Sequence, residues 1–172
     1  MKAITLMIVF MCTIGSAFSQ IKLKAPKASP ADSSMVKTSD GVQINIKYGS
    51  PSLKGRSIGT DLATFGQRWR TGANETTTVS FDKDVTINGK KLAAGKYGLN
   101  TIPGKDKTTV IFNKNWEQWG AKFDETADVL TLEVNNKSDG TNSERLKINA
   151  EKSGKINLNW GNYGWSVQVK PD

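Results

Sequence analysis

From residue 42 onward, apolar and polar residues alternate one by one in short runs, and most runs end in a turn signal. Val42, Ile44, Ile46 and Tyr48 alternate with Gln43, Asn45 and Lys47 until Gly49-Ser50-Pro51. A period of two puts successive side chains on opposite faces of an extended chain, so one face is buried and the other wetted. Strand-like runs recur at 76–81, 85–87, 90–92, 96–102, 108–113, 128–134, 145–150, 155–160 and 165–169. Asn88-Gly89 lies between two of them and suits the left-handed dihedrals of a two-residue hairpin. Pro103-Gly104 stops another, and 108–113 is expected to pair back across the 103–107 turn. Helical periodicity is almost absent. Residues 60–66 read as one helical turn, and Trp116 and Trp119, three apart, share one side of a short helical turn near 115–120. About nine short strands with so little helix predict an all-β domain over 41–172, an antiparallel β-sandwich or barrel.

The amino terminus carries a different signal. Lys2 supplies a positive charge, residues 3–14 are almost wholly apolar, and Ala17-Phe18-Ser19 presents small residues for cleavage before Gln20. Residues 1–19 therefore read as a signal peptide, too short in apolar length to span a bilayer, which needs roughly 20 residues. Cys12 follows a bulky Met11, which does not suit lipidation. Residues 20–40, rich in Lys, Ala, Ser and Pro, read as a flexible lead-in. The expected location is secreted or periplasmic, with no membrane span once the signal is removed.

What the chain lacks narrows its chemistry. It has no His, and its one Cys lies in the leader. Catalysis by Ser-His-Asp or Cys-His sets is excluded, as are ordinary zinc sites and thiol redox chemistry. No Gly-rich phosphate loop is present. An exported domain without a disulfide relies on an ordinary core, and about 150 residues suffice for one. The charge is positive, with 24 Lys and Arg against 16 Asp and Glu, but it is spread along the chain as the solvated faces of strands. Nucleic acid is not an expected partner.

Several motifs together resemble a known family. These are Arg68-Trp69-Arg70-Thr71-Gly72-Ala73-Asn74-Glu75, Leu92-Ala93-Ala94-Gly95-Lys96-Tyr97, Thr101-Ile102-Pro103-Gly104 and Asn113-Lys114-Asn115-Trp116-Glu117-Gln118-Trp119-Gly120. Ala28-Ser29-Pro30 and Ser50-Pro51-Ser52-Leu53-Lys54-Gly55-Arg56 add upstream elements. The chain, over residues 28–170, resembles the secreted bacterial family called domain of unknown function 2911. The resemblance implies export and one compact domain. It implies no established activity and so no catalytic residue.

Two segments interrupt the strand rhythm, and loops on a rigid sheet are where sites are usually built. The first holds Arg68, Arg70, Asn74 and Glu75. Arginine grips carboxylate, phosphate or sulfate with a planar fork, so this segment reads as an anion or glycan pocket. The bland alternative is an ion pair of Arg70 with Glu75 that pins the loop, with Trp69 in the core. The second holds Asn115, Trp116, Glu117 and Trp119, which suit a sugar platform of stacking rings and amides; the bland alternative is two indoles plugging the end of a sandwich. Trp160 and Trp165 read as packing residues. Asp124-Glu125-Thr126-Ala127-Asp128 gathers three carboxylates without the spacing of a calcium loop and reads as a charged, capped loop. No metal or cofactor is expected.

The leading expectation is a non-catalytic ligand-binding or envelope-associated module, with its site where the two segments meet. Its ligand would be a glycan, a small anion or an envelope polymer. One alternative is a carboxylate-dependent glycan hydrolase, for which Glu75 and Glu117 are the candidate pair. Another is a structural protein-interaction domain with no pocket between the segments.

Overall fold

The computed structural model describes residues 28–118, 122–137 and 139–172. Residues 1–19, expected to be a signal peptide, and Trp119 lie outside the described residues. In chain order the strands are β1 (Ala31–Lys37), β2 (Gln43–Gly49), β3 (Thr78–Phe81), β4 (Val85–Ile87), β5 (Lys90–Leu92) and β6 (Gly95–Ile102). There follow β7 (Lys107–Asn113), a 3-10 turn (Glu125–Ala127), β8 (Asp128–Asn135), β9 (Ser143–Ala150), β10 (Lys155–Gly161) and β11 (Tyr163–Pro171). They form two antiparallel sheets, ordered β1-β2-β3-β6-β7-β8 and β5-β4-β11-β10-β9. The architecture is a β-sandwich; the sheets do not join into a barrel.

Alternation explains the layering. Ile44, Ile46 and Tyr48 of β2, Leu130, Leu132 and Val134 of β8, and Ile156, Leu158 and Trp160 of β10 all enter one core. Their odd-numbered neighbours face away from this core, and a one-residue slip in pairing would invert the whole set. Trp160 and Trp165 are each 1% exposed, as packing residues should be. The β4–β5 hairpin turns on Asn88 (φ 48°) and Gly89 (φ 82°), as the Asn-Gly signal requires. β6 and β7 pair across the 103–107 turn, with Ile102 opposite Thr109.

Three expectations need correction. The lead-in does not reach residue 40, because Ala31–Lys37 is an edge strand whose seven residues all pair with β2. It carries little apolar signal, since Met35 is 73% exposed. Hydrogen bonds hold it instead. Ser34 Oγ accepts from the Ala150 amide of the other sheet at 2.9 Å. Asp32 accepts from Tyr48 Oη at 2.9 Å, while that oxygen accepts from the Ile148 amide at 3.1 Å. Residues 60–66 are tight turns closed by a bridge of Ile58 to Leu62, not a helical turn. The one helical turn among the described residues is Glu125–Ala127; 116–117 is a plain turn. No helix among the described residues is long and apolar enough to cross a membrane.

The three tyrosines are tied into this packing. Burial raises the Tyr48 phenol to about 12 against the lowering effect of the Ile148 amide, and Asp32 raises it further. Burial also raises Tyr163 to about 12, opposed by its bond with Thr108. Tyr97 is raised by burial and by the charge of Asp84. Tyrosines in an unfolded chain ionise near 10. The folded protein therefore holds these protons longer. Their stabilising contribution is whole below about pH 10 and is lost as pH rises toward 12. The expected result is that native phenolate absorbance stays low at pH 10 and rises together with alkaline unfolding. Full ionisation near pH 10 with the fold intact would contradict this packing.

Candidate functional site

The segment between β2 and β3 lies flat against the sheet because small residues let backbones touch. A Cβ on Gly49 would sit 2.1 Å from the Ala73 carbonyl oxygen, and one on Gly72 would sit 2.6 Å from Thr77 Oγ1. The loop reverses through Thr71 (φ 56°) and Asn74 (φ 65°). Thr77 Oγ1 donates to the Thr71 carbonyl at 2.9 Å, and the Thr71 and Thr101 hydroxyls meet at 3.1 Å. Asn74 Nδ2 donates to the Ser29 carbonyl at 2.9 Å. Its amide thus holds the loop to the start of the domain.

Trp69 sets the direction of its neighbours. Its amide and carbonyl bond reciprocally with Thr101 at 2.7 and 2.9 Å, which adds one residue to the sheet alongside β6. Its ring stacks on Trp160 at 5.7 Å and 17°, and Nε1 donates to the Gly72 carbonyl at 3.0 Å. Because side chains alternate along an extended segment, Trp69 on the core side sends Arg68 and Arg70 to the outer face. One step from the bridge, Arg70 falls beside Asn100 on that face.

The two arginines then diverge. Arg68 forms a fork to Asp128 at 2.8 and 2.6 Å, and its guanidinium lies 5.1 Å from the centre of the Phe123 ring. Asp128 also accepts from Asn113 Nδ2 at 2.6 Å. Asn113 in turn reaches the Asp124 carbonyl at 2.7 Å and accepts from the Asn115 amide at 2.8 Å. Arg68 is thereby the clamp that holds the start of β8 and the 113–124 segment to the sheet. Arg70 makes no side-chain hydrogen bond or ion pair among the described residues, and its Nε is buried. The expected pair of Arg70 with Glu75 is not formed; the loop is pinned by its backbone and by Arg68 instead. Asn100, 3% exposed, has an Oδ1 without a partner, and Arg68 Nε is likewise open. Three of the four buried side-chain polar atoms without partners among the described residues therefore belong to this one place.

The 113–118 segment closes over the same face. Thr76 Oγ1 donates to the Gln118 carbonyl at 2.6 Å. A Cβ on Gly98 would lie 3.5 Å from Trp116 Cα and 3.7 Å from Asn100 Nδ2, so the bare glycine seats the tryptophan segment on β6. Trp116 is half-buried, and the exposed Lys96 places its Nζ 3.4 Å from the centre of that ring, a cation–π contact. Asn115 and Glu117 are exposed at the rim. Two grooves approach from the neighbouring strands. One, of about 310 Å³, lies among Asp32, Lys47, Tyr48, Glu75 and Thr76. The other, of about 250 Å³, lies among Met35, Asn45, Lys47, Ser80 and Lys96. They share Lys47, and Lys96 carries the second to Trp116.

Sequence reasoning missed Asn100, Lys96 and Lys47. The first had a readable signal: Gly98 and Asn100 alternate on one face of a strand whose other face is apolar. The acidic run behaves as a cap. Asp124 accepts from the Thr126 hydroxyl and amide at 2.6 and 3.1 Å, and the hydroxyl bond foremost holds its carboxyl below the usual range. No group of three or more His, Cys, Asp or Glu arranged to hold a metal is found among the described residues.

An antiparallel two-sheet sandwich with an arginine-bearing outer face is the class that the fold defines. A family model described as "Protein of unknown function (DUF2911)" matches residues 29–169, and the chain belongs to that family. No curated protein and no solved structure matches it.

The clamp is testable by stability. Asp128→Ala leaves a guanidinium that is 9% exposed without its carboxylate. The expected loss is about 3 kcal/mol, the low end for breaking a buried pair, read from the urea midpoint. A loss within about 1 kcal/mol, the range of exposed pairs, would mean that the clamp is dispensable.

Proposed function

We propose that this chain is an exported, non-catalytic module that binds a small anion-bearing or glycan ligand on the outer face of its six-stranded sheet. The leader-like residues 1–19 support export. The observation that carries the binding reading is Arg70: a guanidinium with a buried Nε and no carboxylate, in register with Asn100, whose Oδ1 also lacks a partner. Buried polar groups are ordinarily paired, and unpaired ones call for an explanation. A carboxylate, phosphate or sulfate would accept from Arg70, and a hydroxyl would donate to Asn100. Trp116 offers the flat face that a sugar ring stacks on, with Asn115 and Glu117 at the rim. Loop-fixing falls to Arg68 and Asn74, so Arg70 is available to a ligand.

Arg70→Ala separates binding from folding. Saturation with a ligand at a hundred times its dissociation constant adds about 2.7 kcal/mol of stability. In a thermal-shift screen against phosphate, uronic acids and peptidoglycan fragments, the wild-type protein is expected to show this gain and Arg70→Ala to lack it. The unliganded variant should melt close to wild type. An Arg70→Ala protein that fails to fold, or that keeps the full gain, would sink the assignment. Release of reducing sugar that Glu117→Gln abolishes would instead favour the hydrolase.

A further inference from the structure

A second recess lies at one end of the sandwich, away from Arg70 and Trp116. Two cavities of about 360 and 340 Å³ adjoin there and share Ile58 and Asn162. Together they fall within the usual size of a small-molecule site. They are built by the irregular segment after β2, the β6–β7 turn, the chain leaving β8 and the β10–β11 turn. The cations on the walls are Arg56, Lys105 and Lys137. No carboxylate lines either cavity. Neither lysine ammonium forms an ion pair or hydrogen bond among the described residues. The neighbouring acids are engaged locally: Asp61 accepts from the Ser57 amide at 2.9 Å, Glu144 from the Lys54 amide at 2.8 Å and Asp139 from the Thr141 amide at 2.9 Å.

The walls also carry three amides, Asn136, Asn142 and Asn162, and one apolar ring. Phe65 is 40% exposed at the mouth, outside the core. It is held there by design of the backbone. Its amide bonds to the Gly59 carbonyl at 3.0 Å, and a Cβ on Gly59 (φ 94°) would fall 2.5 Å from the ring. The floor is equally fixed. Thr108 Oγ1 bonds to Tyr163 Oη and, at 2.6 Å, to Asn136 Oδ1, while Asn136 Nδ2 reaches the Gly104 carbonyl at 2.7 Å. Gly161 (φ 57°) lets Leu53 and Ile58 close the inner end.

We infer that this end groove is a binding site for an anionic saccharide. Arg56 is held by the Leu53 and Ser52 carbonyls and Asn136 by Thr108 and Gly104, so recognition falls to the others: the unpaired Lys105 and Lys137 select negative charge, Asn142 and Asn162 suit hydroxyls, and Phe65 offers a face for the apolar side of a pyranose. A neutral sugar would leave the two lysines unanswered, and an apolar ligand would leave Asn142 and Asn162 so. The charge on the sugar is a carboxylate or a sulfate, which the lysines recognise alike.

Isothermal titration calorimetry of the protein tests this with three probes: tetragalacturonate, its fully methyl-esterified neutral form, and a sulfated tetrasaccharide. The expected result is binding of one or both charged probes, weakening as salt is raised, with no heat from the neutral form. Which charged probe binds assigns the source of the charge. Lys105→Gln combined with Lys137→Gln should weaken binding at least tenfold, and Phe65→Ala should weaken it several-fold. These side chains are exposed, so the variants should melt with wild type; in an Arg70→Ala background, which removes the sheet-face site, the lysine-dependent binding should persist. No binding by either charged probe at millimolar concentration would overturn the inference. So would equal binding of the neutral form, loss on Arg70→Ala but not on the lysine pair, or tighter binding of a short single-stranded oligonucleotide.

Discussion

The candidate site depends on a single residue's place in a sheet. Trp69 bonds to Thr101 through both backbone groups and stacks its ring on Trp160. That anchor decides the faces of its neighbours. With Trp69 turned to the core, Arg68 and Arg70 must turn out, onto the face where Gly98 and Asn100 leave room. A segment that looks irregular in sequence is thus a strand extension of minimal length, and its two charges arrive on one surface by the alternation that builds the rest of the fold.

Arg68 and Arg70, on either side of Trp69, take different roles because only one meets a carboxylate. Asp128, 60 residues away, grips Arg68 and also receives Asn113, so one carboxylate ties the first irregular segment to the second. Arg70 keeps its donors. A buried guanidinium edge without a partner costs stability wherever it occurs, and this domain has kept one in register with an unpartnered amide oxygen. The contrast between the paired and the unpaired arginine, rather than the count of positive charges, is what distinguishes a site from a solvated surface.

The sandwich was legible because each level of the sequence agreed: alternation in β2, β8 and β10, Asn88-Gly89 for a hairpin, Pro103-Gly104 for a stop. β1 was not legible, since an edge strand with both side-chain rows near water carries no apolar alternation and is held by Ser34, Asp32 and its ladder. The meeting of 68–76 with 113–118 could be anticipated because both break the rhythm. The division of labour between Arg68 and Arg70 could not, because it rests on a contact with Asp128 that no local pattern encodes. Lys96 sits inside a strand that reads as ordinary, whereas Asn100 shares with Gly98 a polar face that the strand pattern does show. The end groove escaped notice because 53–66 shows neither period, and the meaning of Phe65 emerges only when Gly59 and the β10–β11 turn are brought beside it.

In the proposed site Arg70, and not Arg68, is the arginine open to an anion. Side-chain Nε–H resonances of the four arginines, followed by proton–nitrogen NMR as inorganic phosphate and then glucuronate are added, address it most directly. The Arg70 resonance should move saturably while that of Arg68, held by Asp128, stays in place. A stationary Arg70 under conditions where Arg68 moves, or where neither moves, would contradict it.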